Sequence, residues 1–299
     1  MIRWLARQTL RLYPLAYQRR YGDEMRALLE DQPPRIGTVF DLGRGALRAH
    51  LRPADAPAGM VDAGERVRAS ASGVLLCWVF FAAAGFGYYK STEDQPFSTA
   101  GHAHPLLRDA HLAIQAVALI ASAAVVIGAL PLIVAALAQA RREPALRRTV
   151  ALAFLPVIVF GAVTAAVIAI AHAQAPNGSG AGGGIAIAWG IAGLACGTTC
   201  VFACRGALFA TPVAPAWLRG ALVAGTIVTV SMLAIAVAAG FYAIALTADV
   251  SRLAAEPNGP FQVMSVTASL IVQIVVMLGA GALASIATSR AWRAERQLA

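Results

Sequence analysis

The sequence predicts an all-α, polytopic membrane protein with six transmembrane helices and a small N-terminal cytoplasmic helical module. Three observations carry that prediction. The 299 residues are 59% hydrophobic and only 13% charged, about half the ~25% charged content of soluble domains. The charge deficit lies almost wholly after residue 70. Six apolar runs then follow, at residues 71–89, 112–137, 150–171, 185–203, 222–246 and 263–287, and none contains Asp, Glu, Lys or Arg. Each can cross about 30 Å of hydrocarbon as a helix.

The predicted module covers residues 1–52. Residues 2–12 place Arg3, Arg7 and Arg11 on one helical face, with Ile2, Leu5 and Leu12 giving an apolar side and Trp4 nearby. Such a helix suits either an anionic membrane surface or a small bundle. Pro14 opens a second helix, along which Tyr17, Tyr21, Met25 and Leu28 follow helical spacing. Arg19 with Asp23 and Arg20 with Glu24 are available as i,i+4 pairs. Pro33 and Pro34 stop this helix. Thr38-Val39-Phe40-Asp41 resembles a capping box, and a third helix is expected from there to about Leu51. Residues 53–70, rich in Ala, Pro, Asp and Gly at their start, are expected to be a linker. The membrane domain then runs over 71–289 and a tail over 290–299. Three short helices form too small a unit for much stability alone, so docking to the membrane portion or to a partner is expected.

Orientation follows from the basic residues. Of the 24, 23 are Arg. The N-terminal segment, the loops after spans two and four, and the tail together hold 21. The alternate loops hold only Lys90, Arg108 and Arg252. Positive charge gathers at the cytoplasmic side, so both termini are predicted there, in a bacterial inner membrane. The same bias accounts for the net charge of +9 without nucleic acid as a partner. Tyr88, Tyr89, Trp189 and Tyr242 fall near outer span ends, and Trp217 and Trp292 near inner ones.

No Walker motif, dinucleotide fingerprint, His-Glu-x-x-His or Gly-x-Ser-x-Gly occurs. The spans lack the ionisable groups usual in ion-coupled transporters and pumps. They offer Gln115 and Gln273, expected to pair between helices. A non-enzymatic protein with no cofactor is expected. Cys196, Cys200 and Cys204 repeat every fourth residue, and Cys77 lies at comparable depth in span one. They suit a thiol metal or redox site, or soft packing residues beside Gly193-x-x-x-Gly197. His102, His104, His111 and His172 gather at the outer side with Glu93, Asp94 and Asp109. They suit a metal or pH-sensing site, or solvated loop residues. The Gly178–Gly184 run is expected to be a flexible turn. Pro131 and Pro156 lie at matching depths, as hinge or cavity formers or as ordinary span prolines.

Tyr13-Pro14-x-x-Tyr17-x-x-Arg20-Tyr21-Gly22-Asp23-Glu24-Met25, followed by Asp41-Leu42-Gly43-Arg44-Gly45-Ala46, resembles the short N-terminal prefix of some bacterial multi-pass membrane proteins and permeases. The resemblance covers roughly residues 8 to 52. It implies a cytoplasmic helical module, found on transporter permeases and on membrane proteins thought to act with transcriptional regulators. The chain has no large domain between spans of the kind that macrolide-exporter-type permeases carry, and its longest outer loop is about twenty residues. The expectation is therefore a membrane protein, in contact with lipid, whose head tethers or regulates a soluble partner such as a transcription or sigma factor. Arg19, Arg20, Tyr21, Gly22, Asp23 and Glu24 would be the partner-binding residues. The alternative is the membrane subunit of a transport complex, with an ATPase partner at the Arg141–Arg148 loop.

Overall fold

The computed structural model describes residues 2–10, 13, 15–31, 35–51, 63–92, 94–174, 182–257 and 264–296. The side chains of Arg19, Arg20 and His172 lie outside that description, as do Glu93 and most of the Gly178–Gly184 run. The described regular structure is entirely α-helical.

Three helices form the head: α1 (Ile2–Leu10), α2 (Leu15–Asp31) and α3 (Ile36–Leu51). Ala6, Leu10 and Leu29 make its small core, with Tyr13, Met25, Val39 and Leu42 packed against them. Helix α1 thus turns its Ala6–Leu10 face into the bundle and leaves Trp4 and Leu5 exposed. Arg7 ties α1 to α2 through Glu30 at 3.0 Å. Both partners are more than half exposed, and such pairs contribute less than about 1 kcal/mol.

The third helix starts two residues before the expected capping box. Thr38 is not its N-cap; the Thr38 hydroxyl accepts the Arg35 N–H at 3.2 Å. A side chain in the first turn here reaches back to an unpaired N–H, which is the N3 half of a capping box. Asp23 likewise meets Arg26 at 3.3 Å, an i,i+3 pair, because Arg26 lies one turn on along the same exposed face.

Six helices are long and apolar enough to span a bilayer: α4 (Ala63–Thr92), α6 (Pro105–Ala140), α7 (Pro144–Gln174), α8 (Gly182–Ala210), α9 (Pro215–Asp249) and α11 (Val266–Glu295). The chain is therefore all-α and of multi-pass membrane type. Helix α4 begins inside the stretch expected as linker. Val67 there is buried against Leu218, Leu222, Ala291 and Ala294, and Ala, Glu and Arg around it favour helix. The 90–111 connection is also helical, through α5 (Gln95–Ala103) and the first turns of α6. A short α10 (Ser251–Ala255) sits between α9 and α11.

The spans pair first with last (α4 on α11), second with fifth (α6 on α9) and third with fourth (α7 on α8). Contacts of α9 with α11 and of α4 with α8 join the pairs. One end of the bundle gathers the Arg-rich connections. There Arg219 bonds Glu295, and Ala140, Leu146, Val150 and Ala207 close α6, α7 and α8 together. This is called the basic end below. Small residues set the closest approaches. A Cβ on Gly128 would lie 2.5 Å from Ala224 Cβ. In the Gly193-x-x-x-Gly197 pair, Gly193 abuts Phe160 of α7 while Gly197 abuts Val79 of α4.

Of the two span glutamines, only Gln273 bonds across helices. Its amide donates to Ser269 Oγ at 2.8 Å and to Ser91 Oγ of α4 at 3.4 Å. Gln115 is exposed and meets His111 Nε2 at 2.9 Å on its own helix. The face of α6 that carries Ile114, Ala121 and Ala124 is the buried one, so Gln115 is turned away from α9.

Candidate functional site

The head brings together the two halves of its motif. The Tyr13 hydroxyl lies closer to Gly45 than a Cβ there would allow, and the neighbouring Ala46 is buried. Gly45-Ala46 thus clears a seat for Tyr13. Burial, and then the nearby Tyr17, push the Tyr13 phenol above its usual range, so it stays neutral. Tyr13, just before α2, and Tyr17 and Tyr21 on it follow one another with ring centroids 6.4 and 5.9 Å apart. This part of the motif is structural.

Other motif residues lie at the surface of α2. Asp23 and Glu24 are exposed, while Tyr21 and Gly22 are half-buried. A Cβ on Gly22 would meet only the far end of Arg26, at 3.5 Å. The head also exposes apolar side chains that sequence reasoning did not assign to a surface: Leu28 is 62% and Phe40 74% exposed. Helical spacing set Leu28 in line with Tyr17, Tyr21 and Met25, and only the observed packing of the head shows which stripe turns inward.

The outer histidines disperse. His104 Nδ1 is 3.7 Å from an Asp249 carboxylate oxygen, joining the start of α6 to the end of α9. His111 stacks near Tyr88 and lies 6.4 Å from the Tyr242 ring. His102 is exposed. Among the described residues, no three His, Cys, Asp or Glu side chains converge as metal ligands. The α5–α6 bend at His104 is the reason, since it points the three described histidines to different neighbours.

The cysteines are free thiols. Cys77 belongs to the central core. Cys200 donates to the Ala153 carbonyl of α7 at 3.5 Å and has its sulfur 3.9 Å from that of Cys204. Both are packing contacts inside the bundle.

Cys200 and Cys204 do line a cavity of about 290 Å³ near the basic end, between α4, α6, α7, α8 and α9. Its α6 and α7 walls come from residues 124–137 and 150–157, the stretches that hold Pro131 and Pro156. The matched prolines were the one sequence signal for it. Its few polar groups include Ser72 and Arg205.

No family model matches the chain, and no curated protein or solved structure is found to match it.

Proposed function

We propose that this integral membrane protein uses its N-terminal head, at the cytoplasmic face, to hold or regulate a soluble protein partner, with no chemistry of its own. The observation that supports this is Gly22. A glycine inside a helix costs about 1 kcal/mol relative to Ala, and nothing in the described chain needs it there. A half-buried stretch of backbone without a side chain, beside exposed Asp23, Glu24 and Arg26, suits close approach by another protein. The prefix resemblance suggests a transcription or sigma factor as that partner. Affinity purification of the full chain from native membranes tests this. The intact protein should carry a DNA-binding or sigma-type partner, and Gly22→Val and Tyr21→Ala should lose it while inserting normally. Equal recovery with Gly22→Val would refute the proposal.

A second reading is the membrane subunit of a transport complex. It is favoured by Arg141, Arg142, Arg147 and Arg148, all exposed on the tight α6–α7 connection. A cytoplasmic ATPase recovered in the same purification, and lost when these four arginines are replaced by Gln, would establish it instead.

A further inference from the structure

The cavity near the basic end has walls and an edge of different chemistry. Its volume is many times what a single water needs, so a chain of several methylene groups fits within it. The walls are hydrocarbon: Val74, Leu132, Phe154, Val157, Leu208 and Val228 among them. A cavity of that lining retains water poorly and suits an alkyl chain.

The cavity also opens sideways. Ile133 and Leu137 of α6 and Phe154 of α7 line it, yet are 41–45% exposed. Helix α7 packs chiefly on α8 rather than on α6, and α6 and α7 close on each other at their connecting turn through Ala140, Leu146 and Val150. The opening between them therefore faces the side of the bundle, where lipid lies.

Arg205 stands at the edge of this apolar space. It is half-buried, with its guanidinium carbon 5.1 Å from the centre of the Phe209 ring. No carboxylate among the described residues pairs with it. A partly buried guanidinium without a counter-charge favours an anion, and its fork matches a carboxylate or phosphate. We infer that the cavity binds an anionic amphiphile, its alkyl chain between α6, α7 and α9 and its carboxylate or phosphate on Arg205.

The test is native mass spectrometry of the full chain, released from a neutral detergent after exposure to phosphatidylglycerol, to dodecanoate, or to phosphatidylcholine of matched chain length. The wild type should retain one anionic molecule and little phosphatidylcholine. Arg205→Gln should weaken retention at least about tenfold, as expected for loss of one charge-assisted hydrogen bond, and Arg205→Lys should keep most of it. Ala129→Phe, which fills the cavity, should abolish retention; if it does not fold, the Arg205 pair alone decides. Retention of phosphatidylglycerol alone identifies a bilayer lipid as the source, and retention of dodecanoate alone identifies a free acid. Equal retention of phosphatidylcholine, or no change in Arg205→Gln, would overturn the inference.

Discussion

Gly128→Ala probes the α6–α9 contact on which the central bundle rests. A Cβ at residue 128 would lie 2.5 Å from Ala224 Cβ, with Ala221 Cα at 3.9 Å. Carbon atoms rest at about 3.5–4.0 Å, so α6 must retreat by roughly 1 Å. Ala224 has no flexible end that can swing aside, and the whole helix has to move. Overpacking of this kind typically costs about 1–3 kcal/mol. The new Ala recovers up to about 1 kcal/mol of helix propensity, which leaves a net destabilisation of about 0–2 kcal/mol, centred near 1. Exchanging the two residues, as Gly128→Ala with Ala224→Gly, puts one methyl back into the same space. That double variant should regain most of the loss, with a coupling of about 1 kcal/mol, well above the few tenths shown by independent sites. Denaturant unfolding in a single detergent, followed by circular dichroism, measures all four corners of the cycle. The reasoning fails if Gly128→Ala is as stable as wild type, or if the two changes simply add.

Gly45→Ala should displace Tyr13 and make residues 1–52 more sensitive to limited proteolysis. Adding Tyr13→Phe should restore part of the resistance, because the hydroxyl is the nearest atom and the ring carbon behind it would lie at 3.3 Å. Gln273→Leu should change stability by less than about 1 kcal/mol, because Gln273 Oε1 is buried without a partner and Ser91 and Ser269 remain 3.3 Å apart. Gln273→Glu, which buries a charge there, should instead cost several kcal/mol and reduce the yield of folded protein on gel filtration. A reporter fused after Ala299 should be active only in its cytoplasmic form, and activity of a periplasm-specific reporter there would reverse the proposed orientation.

The six spans were legible because a bilayer demands long apolar runs, and those runs stand out against Arg-rich connections. Their limits were less so. Arg108, Asp109 and His111 belong to α6 although hydropathy places them in a loop, because helix formation does not stop where apolar residues do. Val67 made helix out of an expected linker by finding Leu218 and Ala291, partners far along the chain. Gln115 and Gln273 are the same residue type on similar runs, yet only one faces another helix. That difference is set by which side of each span is buried, and all-round apolar helices carry little periodic signal for it. The head motif was visible as a pattern. Its division into packing residues, Tyr13 and Gly45, and outward ones, Asp23 and Glu24, needed the fold. The cavity and Arg205 are products of five helices meeting, with only Pro131 and Pro156 to hint at them.

The pairing of α4 with α11, α6 with α9 and α7 with α8 has a consequence for how the protein is made. Spans emerge from the ribosome in order, so the third and fourth can associate at once as a hairpin. The first span must wait in the bilayer until the sixth has been synthesised. Until then Ser91 of α4 lacks Gln273 and Ser269, and Val67 lacks Ala291 and Ala294. Closure of the bundle therefore depends on the sixth span: a chain without α11 leaves its first helix without its main packing partner. It also leaves the helix that follows the head directly against the sixth span.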